Sequence, residues 1–357
     1  MASQSYKIGK IFGIDIEIHW TLIALLIGSY ALSAYLLGVD SAGSVLVFFF
    51  LLFACVLLHE LAHSFIALRN RVKVGRIILY PMGGLSVIDQ IGLDPRTEFN
   101  IAIAGPAMNI LLGSFFGALV VLAPPGVLNQ TLQLLFEINM ILGVFNILPA
   151  FPTDGGRVFR SYLERRYNQY KATMITIRVG NVVLGLIVLG TLIYTIELNG
   201  PFIVFLWNLF IVFFLYSGAQ AEKQLMELKQ HTIGMHVSEV TNKHFVFVKP
   251  EHTVQRLYGT VRKMKTHLLI TKLGNEYAFV NLLRREKLKR ETTAREIAMP
   301  IPNIRIDANI IDALEKMEVG DIGIAAVTSG SKLVGIVTLS HLQAFLSLHV
   351  LRLMKQK

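Results

Sequence analysis

Two histidines and a glutamate in Leu57-Leu58-His59-Glu60-Leu61-Ala62-His63 have the types and spacing for metal chemistry. His59 and His63 stand four residues apart, so on a helix they share one face, one above the other. Two imidazoles so placed can grip one zinc ion, and Glu60 between them can act as a general base toward water. The alternative is a histidine pair satisfied by hydrogen bonds between neighbouring helices. The setting favours the metal. The motif lies inside residues 44–68, an apolar run long enough to cross a bilayer. Ionisable groups in such a run are costly and read as functional by default.

A third ligand is needed. Asn146-Ile147-Leu148-Pro149-Ala150-Phe151-Pro152-Thr153-Asp154-Gly155-Gly156-Arg157 breaks the apolar segment before it with two prolines and two glycines, presenting polar groups from unwound chain. Asp154 there is either a metal ligand or the N-cap of a helix starting near Gly155. With two histidines awaiting a partner, the ligand is the reading we take forward. Asn146 either donates to substrate or to a developing oxyanion, or cross-links helices.

The elements that must position these groups are membrane spans. Of 357 residues, 53% are hydrophobic and only 16% charged, and the mean hydropathy is +0.55. That composition excludes an ordinary soluble enzyme and fits a polytopic α-helical membrane protein. The net charge of +10 does not indicate nucleic acid, because the basic residues cluster beside apolar spans and in the polar tail. The single cysteine, Cys55, rules out an intrachain disulfide and a cysteine-rich metal site. The sequence shows no cleavable signal pattern.

Six spans are expected, at about 18–37, 44–68, 99–123, 131–148, 175–196 and 202–217. Residues 1–17 read as polar to mixed. Residues 72–87 are β-branched and interrupted by Pro81, Gly83 and Gly84, so they read as a strand pair with a turn, a re-entrant hairpin beside the site. The segments after spans two, four and six carry Arg69, Arg71, Lys73 and Arg76, then Arg157, Arg160, Arg165, Arg166 and Lys171, then Lys223 and Lys229. The opposite loops have no Lys or Arg. Both termini are therefore expected in the cytosol of a cell-membrane, multi-pass protein, with His59, His63 and Asp154 near the cytosolic ends of their spans.

The tail is a doublet. Val246-Phe247-Val248 precedes a helical pattern from Thr253, and Asn303-Ile304-Arg305-Ile306 precedes one from Asn309. Each copy continues with a strand, a glycine turn (Gly274-Asn275; Gly330-Ser331), a strand and a helix, which makes a pair of α/β modules. The expected domains are 1–222 in the membrane, a linker at 223–235, and modules at about 236–298 and 299–357.

His59-Glu60-Leu61-Ala62-His63, Gly105-Pro106-Ala107-Met108-Asn109, Pro81-Met82-Gly83-Gly84 and the motif from Asn146 to Arg157 together resemble the site-2 protease family of intramembrane zinc metalloproteases. The tail resembles a tandem pair of CBS domains. The resemblance implies one Zn2+ held by His59, His63 and Asp154, with Glu60 as catalytic base and Asn146 assisting. It implies a single-pass, membrane-tethered regulatory protein as substrate and a cytosolic CBS pair as regulatory module; the competing functions are a catalytically silent zinc-binding chaperone or scaffold and a metal transporter. Of the tail it implies dimerisation and an adenosine nucleotide, for which Thr338 is retained while His341 stands where an acid is expected.

Overall fold

The computed structural model describes residues 5–88, 93–232, 234–264, 266–274, 276–282, 291–319, 323–330 and 332–345. Asn275 and Ser331, which the repeat reading used, lie outside the described residues. The chain forms two compact units, Met1–Gln230 and His231–Lys357.

The first unit opens with a β-hairpin, β1 (Ser5–Ile11) and β2 (Ile14–His19), in the stretch expected to be mixed. Phe12 and Gly13 both have positive φ, 51° and 82°; this is the backbone a two-residue hairpin turn requires. Ile14 and Ile16 are buried against Leu22, Val56, Ile77 and Leu79. Asp15 and Glu17 alternate with them and face the other way. The first span, α1 (Trp20–Leu37), therefore begins two residues later than expected, its first turn capped by the His19 ring.

Next come α2 (Val39–Arg69), β3 (Val74–Tyr80), β4 (Gly83–Ile88), α3 (Pro95–Leu122), α4 (Val127–Ile147), a short α5 (Asp154–Leu163), α6 (Gln169–Glu197) and α7 (Phe202–His231). Among the described residues six helices are long and apolar enough to cross a membrane: α1, α2, α3, α4, α6 and α7. The last turns of α7 occupy much of the stretch expected to be linker.

The strands form one sheet in the order β1-β2-β3-β4. β2 pairs with β3 in parallel, and β3 with β4 antiparallel. β3 is thus paired on both sides, and β4 is an edge.

Helices α3 and α4 approach closely through small residues, as membrane helices do. A Cβ at Gly143 of α4 would lie 2.9 Å from Ile110 Cγ1 of α3. Where α5 meets α3 and α7, a buried ionic group forms. Arg160 donates from Nη2 to Glu98 of α3 and from Nη1 to Glu222 of α7 at 2.5 Å. Burial alone would lower the Arg160 pKa; Glu98 and Glu222 outweigh it and raise it.

The second unit repeats one order of elements. β5 (Val246–Phe247), α8 (Val254–Met264), β6 (Leu269–Leu273) and β7 (Glu276–Val280) are followed by α9 (Ala294–Ile297) and β8 (Ala298–Pro300). Then β9 (Asn303–Arg305), α10 (Ile310–Val319), β10 (Ile324–Ser329) and β11 (Lys332–Thr338) recapitulate the first four. The sheets run β5-β6-β7-β8 and β11-β10-β9, and share a core of Ile270, Tyr277, Ile301, Ala326 and Ile336.

Replacing Gly143 by valine should force α3 and α4 apart and lower the thermal midpoint in detergent, with a loss of about 1–3 kcal/mol from overpacking. An unchanged midpoint would contradict the close approach.

Candidate metal centre

His59 and His63 fall on the buried face of α2, as their spacing requires, at 6% and 5% exposure. Asp154 is the first residue of α5; Thr153 precedes it as the N-cap and makes no side-chain cap bond. The capping alternative therefore does not describe Asp154. Its Oδ2 lies 3.1 Å from His59 Nε2 and 3.1 Å from His63 Nε2, and the two Nε2 atoms are 3.0 Å apart. Among the described residues these three are the group whose ligand atoms converge in a way that could hold a metal ion.

The protons around this triangle can be assigned from its surroundings. Asn139 Nδ2 donates to the Leu135 carbonyl at 2.8 Å and to Cys55 Sγ at 3.2 Å, which uses both its hydrogens and fixes the amide orientation. Its Oδ1 accepts from Asn109 Nδ2 at 2.9 Å. Asn109 Oδ1 then faces His59 Nδ1, so the ring donates. On the other ring, His63 Nδ1 donates to the Ile101 carbonyl at 2.6 Å. In each neutral ring the proton is on Nδ1, and Nε2 presents a lone pair. With both rings neutral, two lone pairs and a carboxylate oxygen meet with no hydrogen between them. That arrangement repels itself unless a proton or a metal cation lies among them.

The donor set fits zinc. Ligand bonds of about 2.0–2.1 Å in tetrahedral geometry put ligand atoms about 3.3 Å apart, close to the observed edges. Nitrogen and oxygen donors suit the ion, and each ring is held by an outer acceptor, as metal-binding histidines are. Small residues make the room. A Cβ at Gly105 of α3 would fall onto both Nε2 atoms.

Glu60 is buried beside the triangle. Ser86 of β4 donates to its Oε2 at 2.6 Å, and Gly84 packs on its side chain. Asn146 is not in contact with the triangle. It stands in the last turn of α4, donates to the Leu142 carbonyl at 3.0 Å, and lines a cavity of about 520 Å³ with Met82, Gly84, Leu85, Asp154 and Leu215. The sequence motifs contain Asn109 and the hairpin stretch contains Ser86, but their spacing assigns neither a supporting role, and Asn139 lies outside every motif. Two fully buried asparagines inside apolar helices were the available signal.

Removing the acceptor at the outer ring, Asn109→Ala, should weaken zinc binding about 10–100-fold with all ligands in place. Chelator competition on purified protein checks this, and wild-type affinity would refute the proton assignment.

The chain matches the model of peptidase family M50 over residues 47–129 and 122–188, and that of the CBS domain over residues 294–347. It is 30% identical to the Rip3 protein of Mycobacterium tuberculosis over 94% of this chain and 91% of that one. It is also 30% identical to the zinc metalloprotease MJ0392 of Methanocaldococcus jannaschii, over 94% of each. A solved site-2 protease from Methanocaldococcus jannaschii is 32% identical over 61% of this chain and 95% of that one, with a TM-score of 0.43. With a relative of 30% identity matched over nearly its full length, the chain belongs to peptidase family M50, the site-2 protease family of zinc metalloproteases, and carries a CBS module behind its apolar helices.

Proposed function

We propose that the protein is an intramembrane endopeptidase that hydrolyses a peptide bond in or near the transmembrane helix of a membrane-tethered protein. The observation that carries this reading is the convergence of two histidine Nε2 atoms and a carboxylate on one point, with a buried carboxylate beside them. His59, His63 and Asp154 would hold the ion, and Glu60 would be the base. Bound zinc supplies a Lewis acid that acidifies water and polarises the scissile carbonyl.

Ser86 occupies Glu60 Oε2, which leaves Oε1 to accept the proton of the attacking water and later deliver it to the leaving amine. Asn146 keeps one amide hydrogen beyond its bond to Leu142, available to a substrate carbonyl in the cavity. The substrate helix must unwind to reach this centre. The sheet supports a strand-addition route for the unwound segment: β3 is paired on both sides, whereas β4 is an edge and its Gly84 and Leu85 line the cavity. This sheet stands in for the re-entrant hairpin in the proposal. The basic loops support an orientation with both termini in the cytosol, and the CBS module there is proposed as a regulatory part, tested by titrating the full chain with ATP, ADP and AMP in a calorimeter.

On a membrane-tethered substrate, Glu60→Gln should cut turnover by at least about 10²-fold and leave zinc content at the wild-type level. A substrate bound but left intact by the wild type would instead support the silent scaffold. For the edge strand, a cysteine at Leu85 should cross-link to cysteines placed around the scissile segment; no cross-link at any position would sink the clamp.

A further inference from the structure

One face of α7 is applied to the segment that carries Asp154. Leu215, Gly218, Ala219 and Glu222 recur at helical spacing and line up on that face. Leu215 is 2% exposed and lines the same cavity as Asp154. A Cβ at Gly218 would lie 2.8 Å from the Pro152 ring, so helix and loop touch backbone to ring. Ala219 packs in a cluster with Phe151 and Ile177. Glu222 accepts from Arg160 Nη1 at 2.5 Å, and the Arg160 guanidinium lies over the Phe151 ring, 5.3 Å from its centroid. Arg160 follows Asp154 by six residues on α5, about 9 Å along the axis. The loop before the carboxylate and the helix after it are therefore both held by α7.

We propose that Arg160 is a positioning residue for Asp154, and that its ion pair with Glu222, together with the Gly218–Pro152 contact, is the joint through which α7 sets the third corner of the metal triangle. The proposal rests on the reading of Asp154 as a metal ligand. The first two corners need no such joint, because His59 and His63 ride on one rigid helix and are fixed by Asn109 and the Ile101 carbonyl. Asp154 comes from a separate short helix behind a broken segment; α3, α4 and α6 pack on that helix, and α7 adds the Glu222–Arg160 pair and the Gly218–Pro152 contact. The helix that bears Glu222 runs on to His231, where the second unit begins.

The test is a double-mutant cycle on zinc affinity, read by chelator competition on the purified full chain. Glu222→Ala and Gly218→Leu should each lower the chelator concentration for half-loss of zinc about tenfold, and Glu222→Gln, which keeps an oxygen for Arg160, should restore most of it. Lys223→Ala, one residue along α7 in an exposed pair with Glu227, should change nothing. In an Asp154→Ala background, Glu222→Ala should have less than a twofold effect, because the corner it positions is gone. An equal shift in both backgrounds would show a merely structural role and overturn the proposal, as would wild-type affinity in both Glu222→Ala and Gly218→Leu. If Asp154→Ala itself leaves affinity unchanged, the ligand reading fails first, and that result is separable from failure of the joint.

Discussion

Two imidazole nitrogens and a carboxylate oxygen converge on one point, and the rest of the membrane unit is arranged around that convergence. Taken alone, two imidazole lone pairs and a carboxylate oxygen about 3 Å apart repel one another. Each Nδ1 is already committed as a donor, so a neutral ring turns its Nε2 lone pair toward the centre, and a proton shared with Asp154 or a metal cation relieves the repulsion. The relay from Leu135 through Asn139 and Asn109 to His59 has a single polarity, set at its far end by a backbone carbonyl that can only accept. The folded chain thus brings together a donor set that could hold a metal ion.

Assembling that set requires close approach of helices that bury few polar groups. Gly105 lets α3 lie against the histidine rings. The broken segment between α4 and α5 then delivers Asp154 from a direction that no continuous span could reach. Asp154 stands at the start of a new helix whose later turn is pinned by Arg160 between Glu98 and Glu222. Removing one partner of such a buried pair typically costs about 3–5 kcal/mol, so the anchor of α5 is expensive to break and correspondingly well placed to define its position.

Much of this was legible in the order of residues. The six apolar runs are all helices long enough for a bilayer, because the period and length of such runs leave no other backbone-satisfying choice. The spacing of His59 and His63 fixed their shared face. The hairpin at β3 and β4 followed from Pro81, Gly83 and Gly84. The hairpin at β1 and β2 did not enter the reading, although Ile14, Ile16 and Ile18 alternate with Asp15, Glu17 and His19 in the pattern of a half-buried strand. What no local pattern carries is the pairing of distant residues. Asn109 with Asn139, Ser86 with Glu60, and Arg160 with Glu98 and Glu222 are each more than 25 residues apart, and only the packed helices bring them together.

The central claim is that the two Nε2 atoms and the Asp154 carboxylate share one metal ion. X-ray absorption at the zinc edge of the purified protein tests it most directly. The account predicts one zinc per chain in a shell of nitrogen and oxygen alone at about 2.0–2.1 Å, with the outer-shell signature of two imidazoles. A sulfur neighbour at about 2.3 Å, a single imidazole, or protein that folds and retains no zinc would contradict it.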